Sequence, residues 1–325
     1  MKDPQALYKI IQTETNKAII GDEDIIEHIT IAILTNRHIL LEGVPGVAKT
    51  TAVRLFARVS DLEYQRVQMT PDLSPSDVTG TRVSEQTSHE SDLRRGPIFT
   101  DVLLINDINQ ASPKTQAALL ESMREQTVTI GRQSFEIPYP FMLIATQNPL
   151  EDEELHTLPQ RQRDCFLFKL NIPIPERSVE RQILDRFTDT NRDNSGTKDI
   201  EPILDAETIE AARKAVRQVH VEDKLYEYLL NLIEATRSHQ ATKVGASPRA
   251  SLALLHAAQA RAAIVGRDYV IPEDLRALAE DTLNHRIVLN MDTDLSKQTP
   301  RDIIEDIIDN VNLPEADLST ELPGE

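Results

Sequence analysis

The chain has 325 residues, 40% of them hydrophobic and 27% charged, with a formal net charge of −18, the balance of a water-soluble globular protein with room for two domains. No apolar run approaches the roughly 18–20 residues that span a bilayer, which excludes membrane insertion by a helix, and the acidic balance speaks against a nucleic-acid partner. A single cysteine, Cys165, leaves no internal disulfide, the eight histidines show no zinc-site spacing, and MKDPQALYKI carries no apolar leader, so a cytoplasmic protein without a structural metal is expected.

From residue 3 to about 18 the segment DPQALYKIIQTETNKA places Leu7, Ile10 and Ile11 at helical spacing, and a second helix after Gly21 carries Ile25, Ile29 and Ala32 on one face. Four short apolar runs read as buried strands: HILLEG at 38–43, YQRVQM at 64–69, DVLLIND at 101–107 and FMLIATQNP at 141–149. KTTAVRLFARVS follows the first and SPKTQAALLESMREQ the third, both helical in pattern. This alternation predicts an α/β core with a mainly parallel sheet between helices. VTIGRQSFEI at 128–137 predicts a hairpin turning at Gly131 and Arg132. The polar stretch 188–200 reads as a linker or exposed loop. Beyond it the pattern is helical throughout: Ile209, Ala212, Val216 and Val219, then Leu225, Leu229, Leu232 and Ile233, then Pro248 to Val265 with Gly266 as C-cap, and Pro272 opening the next helix. A core of 1–187 is therefore followed by a small all-helical domain of 201–312 and an acidic tail of 313–325.

The stretch GVPGVAKT at 43–50 matches G-x-x-x-x-G-K-[ST], with Ala48 in place of the last glycine. In such a turn the backbone of Gly43, Val44, Pro45, Gly46, Val47 and Ala48 wraps the phosphates of ATP or ADP. Lys49 reaches the β/γ oxygens, Thr50 offers a hydroxyl to Mg²⁺, and Thr51 continues a helix whose N-terminus faces the anion. The required context, an apolar strand before and a helix after, is present.

Beyond this loop, the stretches QMTPDLSPSDVTGT at 68–81, RGPIF at 95–99, INQASPKTQAALLESM at 108–123, IATQNP at 144–149 and GASPRASLALL at 245–255 resemble the MoxR family of AAA+ ATPases, almost without gaps from Ile20 to Ile287. The resemblance implies a P-loop NTPase (AAA+) domain with a helical lid, a hexameric ring with ATP at the subunit interfaces, and chaperone-like action on partners that contain von Willebrand A domains. It puts Ile20 and Gly21 at the adenine, Asn148 where the attacking water is oriented, and Arg249 where a lid arginine senses the γ-phosphate. Related motors that remodel DNA carry a hairpin where 128–137 stands; net acidity argues against that reading.

Four positions depart from the family pattern. Where the family ends a strand with Asp-Glu, Asp for the metal and Glu for the water, this chain has Asn106-Asp107. Asn106 offers Mg²⁺ only a carbonyl oxygen. Asp107, expected as a catalytic base or a metal ligand itself, stops about 1 Å short of the water, a misplacement that costs roughly 10²-fold. The arginine finger is Cys165, with Arg161 and Arg163 close by as substitutes, and Gln110 replaces another family arginine; such fingers are worth about 10³–10⁵ in rate. Phosphate binding is expected to persist while hydrolysis is slow or lost. The chain would then be an impaired ATPase, or a nucleotide-holding scaffold or regulatory subunit in a hetero-ring with an active paralogue.

Overall fold

The computed structural model describes residues 3–17, 23–44, 49–84, 91–148, 156–188, 202–290 and 298–314. Its centre is a sheet of five parallel strands, β1 (Ile39–Glu42), β2 (Tyr64–Gln68), β5 (Val102–Asn106), β8 (Met142–Gln147) and β9 (Phe168–Asn171), in the order β2-β5-β8-β1-β9. Ile39 stands opposite Ile144 on one side and Phe168 on the other, and Asn106 opposite Gln68. The runs of β1, β5 and β8 are buried on both faces, as helix-covered parallel strands must be. β2 was expected to be buried too, but it is the sheet edge: Gln65, Arg66 and Gln68 are exposed. The sequence pattern also missed β9, whose four residues FKLN include two polar ones.

Alternate residues of the strands feed two cores. Leu40, Leu103, Ile105, Leu143 and Ala145 pack under α4 (Pro75–Thr79) and α5 (Pro113–Glu125), along with two antiparallel hairpins. One hairpin, β6 (Thr127–Ile130) with β7 (Gln133–Glu136), turns at Gly131 as expected; the other, β3 (Gly80–Ser84) with β4 (Ser91–Arg95), was not foreseen. On the opposite face Ile39, Leu41, Val102, Leu104 and Ile144 meet α1 (Pro4–Asn16), α2 (Glu23–Thr35) and α3 (Lys49–Val59). α2 was expected to bury one face. It buries nearly all of its apolar residues, because α1 and α3 cover it on one side and the later helices α8 (Ala206–Val216) and α10 (Pro248–Ile264) on the other.

That second core continues without a break into the C-terminal helices α8, α9 (Asp223–Ser238), α10, α11 (Pro272–Leu283) and α12 (Pro300–Asn310). Pro248 and Pro272 sit in the first turns of α10 and α11, and Gly266 follows α10 with φ 89°, all as their chemistry predicts. The helical part also carries a small ribbon, β10 (Thr242–Val244) with β11 (Val288–Leu289), so it is not wholly helical. Asp274, fully buried at the start of α11, accepts from Arg261 Nη1 at 2.7 Å and from Arg267 Nη2 at 2.6 Å. Most of the linker segment and most of the tail lie outside the described residues.

Two buried histidines tie strand ends to their surroundings. His38 Nδ1 accepts from the Leu143 N–H at 3.1 Å, and the His285 Nε2–H donates to the Phe166 carbonyl at 3.1 Å. Burial holds the pKa of His38 down at about 4, and burial beside Arg286 holds that of His285 well below the ordinary 6.5. The unfolded chain therefore takes up protons first as pH falls, and stability present above pH 6.5 is lost progressively towards pH 4. Urea midpoints measured across that window are expected to fall, and His38→Asn, which keeps an acceptor without the titration, to flatten the slope by about one proton.

Candidate functional site

All five strands run the same way, so their C-terminal ends form one rim of the sheet, and the phosphate-loop residues expected from sequence that are described converge there. Gly43 follows β1; its N–H donates to the Gln147 carbonyl at 3.3 Å, and a Cβ on it would lie 2.5 Å from the Ile172 carbonyl oxygen, so only glycine fits between β8 and β9. Val44 follows it, and Lys49, Thr50 and Thr51 form the first turn of α3, half-buried. The Lys49 ammonium donates to the carbonyls of Gly43 at 2.5 Å and Val44 at 3.1 Å, using two of its three donors where phosphate oxygens would compete for them. Burial lowers its pKa, and Asp107 opposes that shift. Ile20, Gly21, Pro45, Gly46, Val47 and Ala48 lie outside the described residues.

Asp107 leaves β5 in the left-handed region, φ 54° and ψ 56°, a conformation that aspartate tolerates better than most residues. Its N–H donates to Thr146 Oγ1 at 3.0 Å, and its Oδ2 accepts from Gln68 Nε2 at 2.7 Å. Asn148 is buried one residue past β8, with its carbonyl accepting from Asn109 Nδ2 at 3.5 Å. Turned so that its oxygen faces the Arg66 guanidinium, the Asn106 amide accepts from Nε at 3.0 Å and Nη2 at 2.8 Å; in the opposite orientation its Nδ2 donates to Gln68 Oε1 at 3.3 Å. The two side chains expected to hold Mg²⁺ thus have protein partners, Asn106 in Arg66 or Gln68 and Asp107 in Gln68. Among the described residues no group of three His, Cys, Asp or Glu side chains could hold a metal. Thr50 and the Asp107 carboxylate are the described oxygens at this rim that would hold Mg²⁺, which ordinarily takes few protein ligands beside phosphates and waters.

Arg249 was expected beside the γ-phosphate, but within one chain it stands at the other rim. It lines a cavity of about 830 Å³ with Arg37 and His38, which precede β1, and Cys165, which precedes β9. A four-residue strand separates the rims, roughly 13 Å at 3.3 Å per residue. The cavity is rich in cations: Arg124, Arg217 and Arg286 join Arg37 and Arg249, against Glu125 and Asp164. Arg249 is exposed, with Nη1 4.0 Å from Asp164 Oδ2. Cys165 packs against the sheet core, and burial pushes its thiol pKa up, so no reactive thiolate forms there. Arg161 is exposed on the short helix α6 (Gln160–Arg163), whereas Arg163 is half-buried and donates to Gln160 Oε1 at 2.7 Å.

Sequence reasoning missed Arg66, Gln68 and Thr146. The period-2 alternation of β2, which puts residues 66 and 68 on one face, was the available signal for the first two. The arginines of the far cavity come from five separate stretches of the chain and leave no local pattern.

Residues 38–168 match the ATPase family associated with various cellular activities (AAA), and residues 234–307 the AAA lid domain. The chain is 39% identical over 311 residues to chaperone MoxR1 of Mycobacterium tuberculosis, covering 93% of this chain and 81% of the relative. It is 38% identical over 299 residues to YeaC of Bacillus subtilis, covering 92% of each. The crystal structure of a Cytophaga hutchinsonii protein classed as an ATPase superimposes with a TM-score of 0.87 at 35% identity, over 96% of this chain and 97% of the other.

Lys49→Ala removes the ammonium at the phosphate rim without touching either core. By calorimetry it is expected to weaken ATP about 100-fold, the loss of one to two charge-assisted hydrogen bonds, with the melting temperature nearly unchanged.

Proposed function

Because the chain belongs to the MoxR-type AAA ATPases, we propose that it binds ATP or ADP at the Lys49 rim and works as a ring of copies, hexameric as the family resemblance implies. Its role in this reading is a chaperone-like or assembly function in the cytoplasm, in keeping with the chaperone to which it is 39% identical. One observation carries the ring: Lys49, Asp107 and Asn148 lie at one end of the parallel sheet and Arg249 at the other, with Cys165. A copy cannot bring its own Arg249 to its own triphosphate. A head-to-tail arrangement brings the arginine end of one copy to the phosphate end of the next, and such a heterologous contact closes into a ring when its rotation allows.

Hydrolysis in this reading is slow. Asp107 is short for the glutamate position and is held by Gln68, Asn106 is neutral, and the finger position is a thiol. The Gln68 contact also favours the second reading, a nucleotide-holding scaffold or regulatory subunit that turns nothing over, because a carboxylate engaged at 2.7 Å is less free to accept a proton from water. Turnover of the purified chain is expected well below about 1 s⁻¹. Asn106→Asp, Asp107→Glu and Cys165→Arg together should raise it about 10²-fold or more. A wild-type rate of a few per second overturns the slow-enzyme reading, and no gain in the triple variant means that the chemistry is arranged differently. Solution mass with and without ATP tests the ring: a mass that stays monomeric in both removes it.

A further inference from the structure

The cavity at the rim where the strands begin, about 830 Å³, has the size of a small-molecule site, which usually runs to roughly 300–1,000 Å³. Five arginines line it against two carboxylates, and both carboxylates are already matched, Asp164 by Arg286 at 2.9 Å and Glu125 by Arg124 at 3.2 Å. Arg37 and Arg217 are exposed and make no side-chain hydrogen bond or ion pair among the described residues. They come from two helix ends. α2 stops at Thr35, Asn36 turns the chain with φ 55°, and the Arg37 N–H donates to the Ala32 carbonyl at 2.9 Å, while Arg217 caps the C-terminus of α8. His256, half-buried on α10, lines the same cavity. Burial, then the charges of Arg37 and Arg217, lower its pKa, and no carboxylate among the described residues opposes them.

One cation at a helix C-terminus is ordinary, because it complements the helix dipole. Two that act on one imidazole repel each other, in a chain whose acidic residues outnumber its basic ones 53 to 35. A cleft lined by one sign of charge focuses the field and concentrates ions of the other sign, so a multiply charged anion relieves this repulsion.

We propose that this cavity is a second anion site, separate from the Lys49 rim, and that it takes a phosphate chain of small-molecule size. Arg37 and Arg217 grip the phosphate oxygens, and His256 stands beside them as a further donor. Guanidinium forks pair with phosphate oxygens two at a time, and an excess of arginines over carboxylates suits a di- or triphosphate better than a single carboxylate. The phosphate chain of a neighbouring copy's nucleotide offers the same chemistry as a free polyphosphate. The inference concerns the free anion, does not rest on the nucleotide reading, and is separated from it by a Lys49 variant.

The test is calorimetric titration of the full chain with inorganic tripolyphosphate. Wild type is expected to bind one anion per chain at the cavity, and each of Arg37→Gln and Arg217→Gln to weaken that binding about tenfold. Arg37→Lys and Arg217→Lys, which keep the charge, should stay within about threefold of wild type, so a loss of charge is told from a loss of fold. Lys49→Ala should bind tripolyphosphate at the cavity as wild type does. Arg132→Gln, which removes an exposed arginine in the β6–β7 turn outside the cavity lining, should also leave it unchanged. Absence of binding, or cavity variants equal to wild type, overturns the proposal. So does binding that is lost in Lys49→Ala, which puts the anion at a nucleotide rim, or that weakens as much in Arg132→Gln, which makes it general surface attraction.

Discussion

A parallel sheet has two chemically different rims, and this molecule is arranged around that difference. Because β1, β2, β5, β8 and β9 all run one way, every strand delivers its last residue and the turn that follows to the same side. Gln68, Asn106, Asp107, Thr146, Asn148, Gly43 and Lys49 gather there from four separate stretches of sequence. The opposite rim collects the residues that enter the strands, and there the cations dominate although the chain as a whole carries −18. Helix packing on both faces keeps each rim intact, since strands buried on both faces cannot slip register without exposing apolar side chains.

Much of this was legible from residue patterns. The apolar runs at 38–43, 101–107 and 141–149 became the central strands, the Gly131 turn became a hairpin, and the prolines at 248 and 272 opened helices. Each of these is a local rule of period, turn chemistry or capping. The errors fall where neighbours decide. β2 has the length and β-branching of a strand but nothing in it says that it will be an edge; β9 is too short and too polar to be seen without β1 beside it. α2 carries an ordinary amphipathic signal, yet helices from the far end of the chain close over its second face.

The site divides in the same way. Lys49 and Thr50 are announced by a contiguous motif and take up the first turn of α3 as such motifs require. Asn106 looked in sequence like a damaged metal ligand. In three dimensions its amide lies within hydrogen-bonding reach of Gln68 and of Arg66, a residue 40 positions earlier with no motif of its own. Arg249 was legible as a helix-start arginine; which rim it occupies depends on how α10 packs against the rest of the chain, and no local pattern records that.

The C-terminus of α11 holds one more arrangement with mechanical meaning. Arg286, nearly fully buried, donates to the carbonyls of Phe166 at 2.7 Å and Leu167 at 3.3 Å and pairs with Asp164 at 2.9 Å, while Asn284 holds the Lys169 carbonyl at 2.9 Å. Pulling α11 away would strip Asp164 of its cation and take these donors from three carbonyls, a penalty of several kcal/mol. The helix and the segment around Cys165 are therefore bonded into one unit. The same joint reaches β9, where Lys169 stands opposite Leu40 of β1, so α11 is clamped to the edge of the sheet as well as to the segment around Cys165.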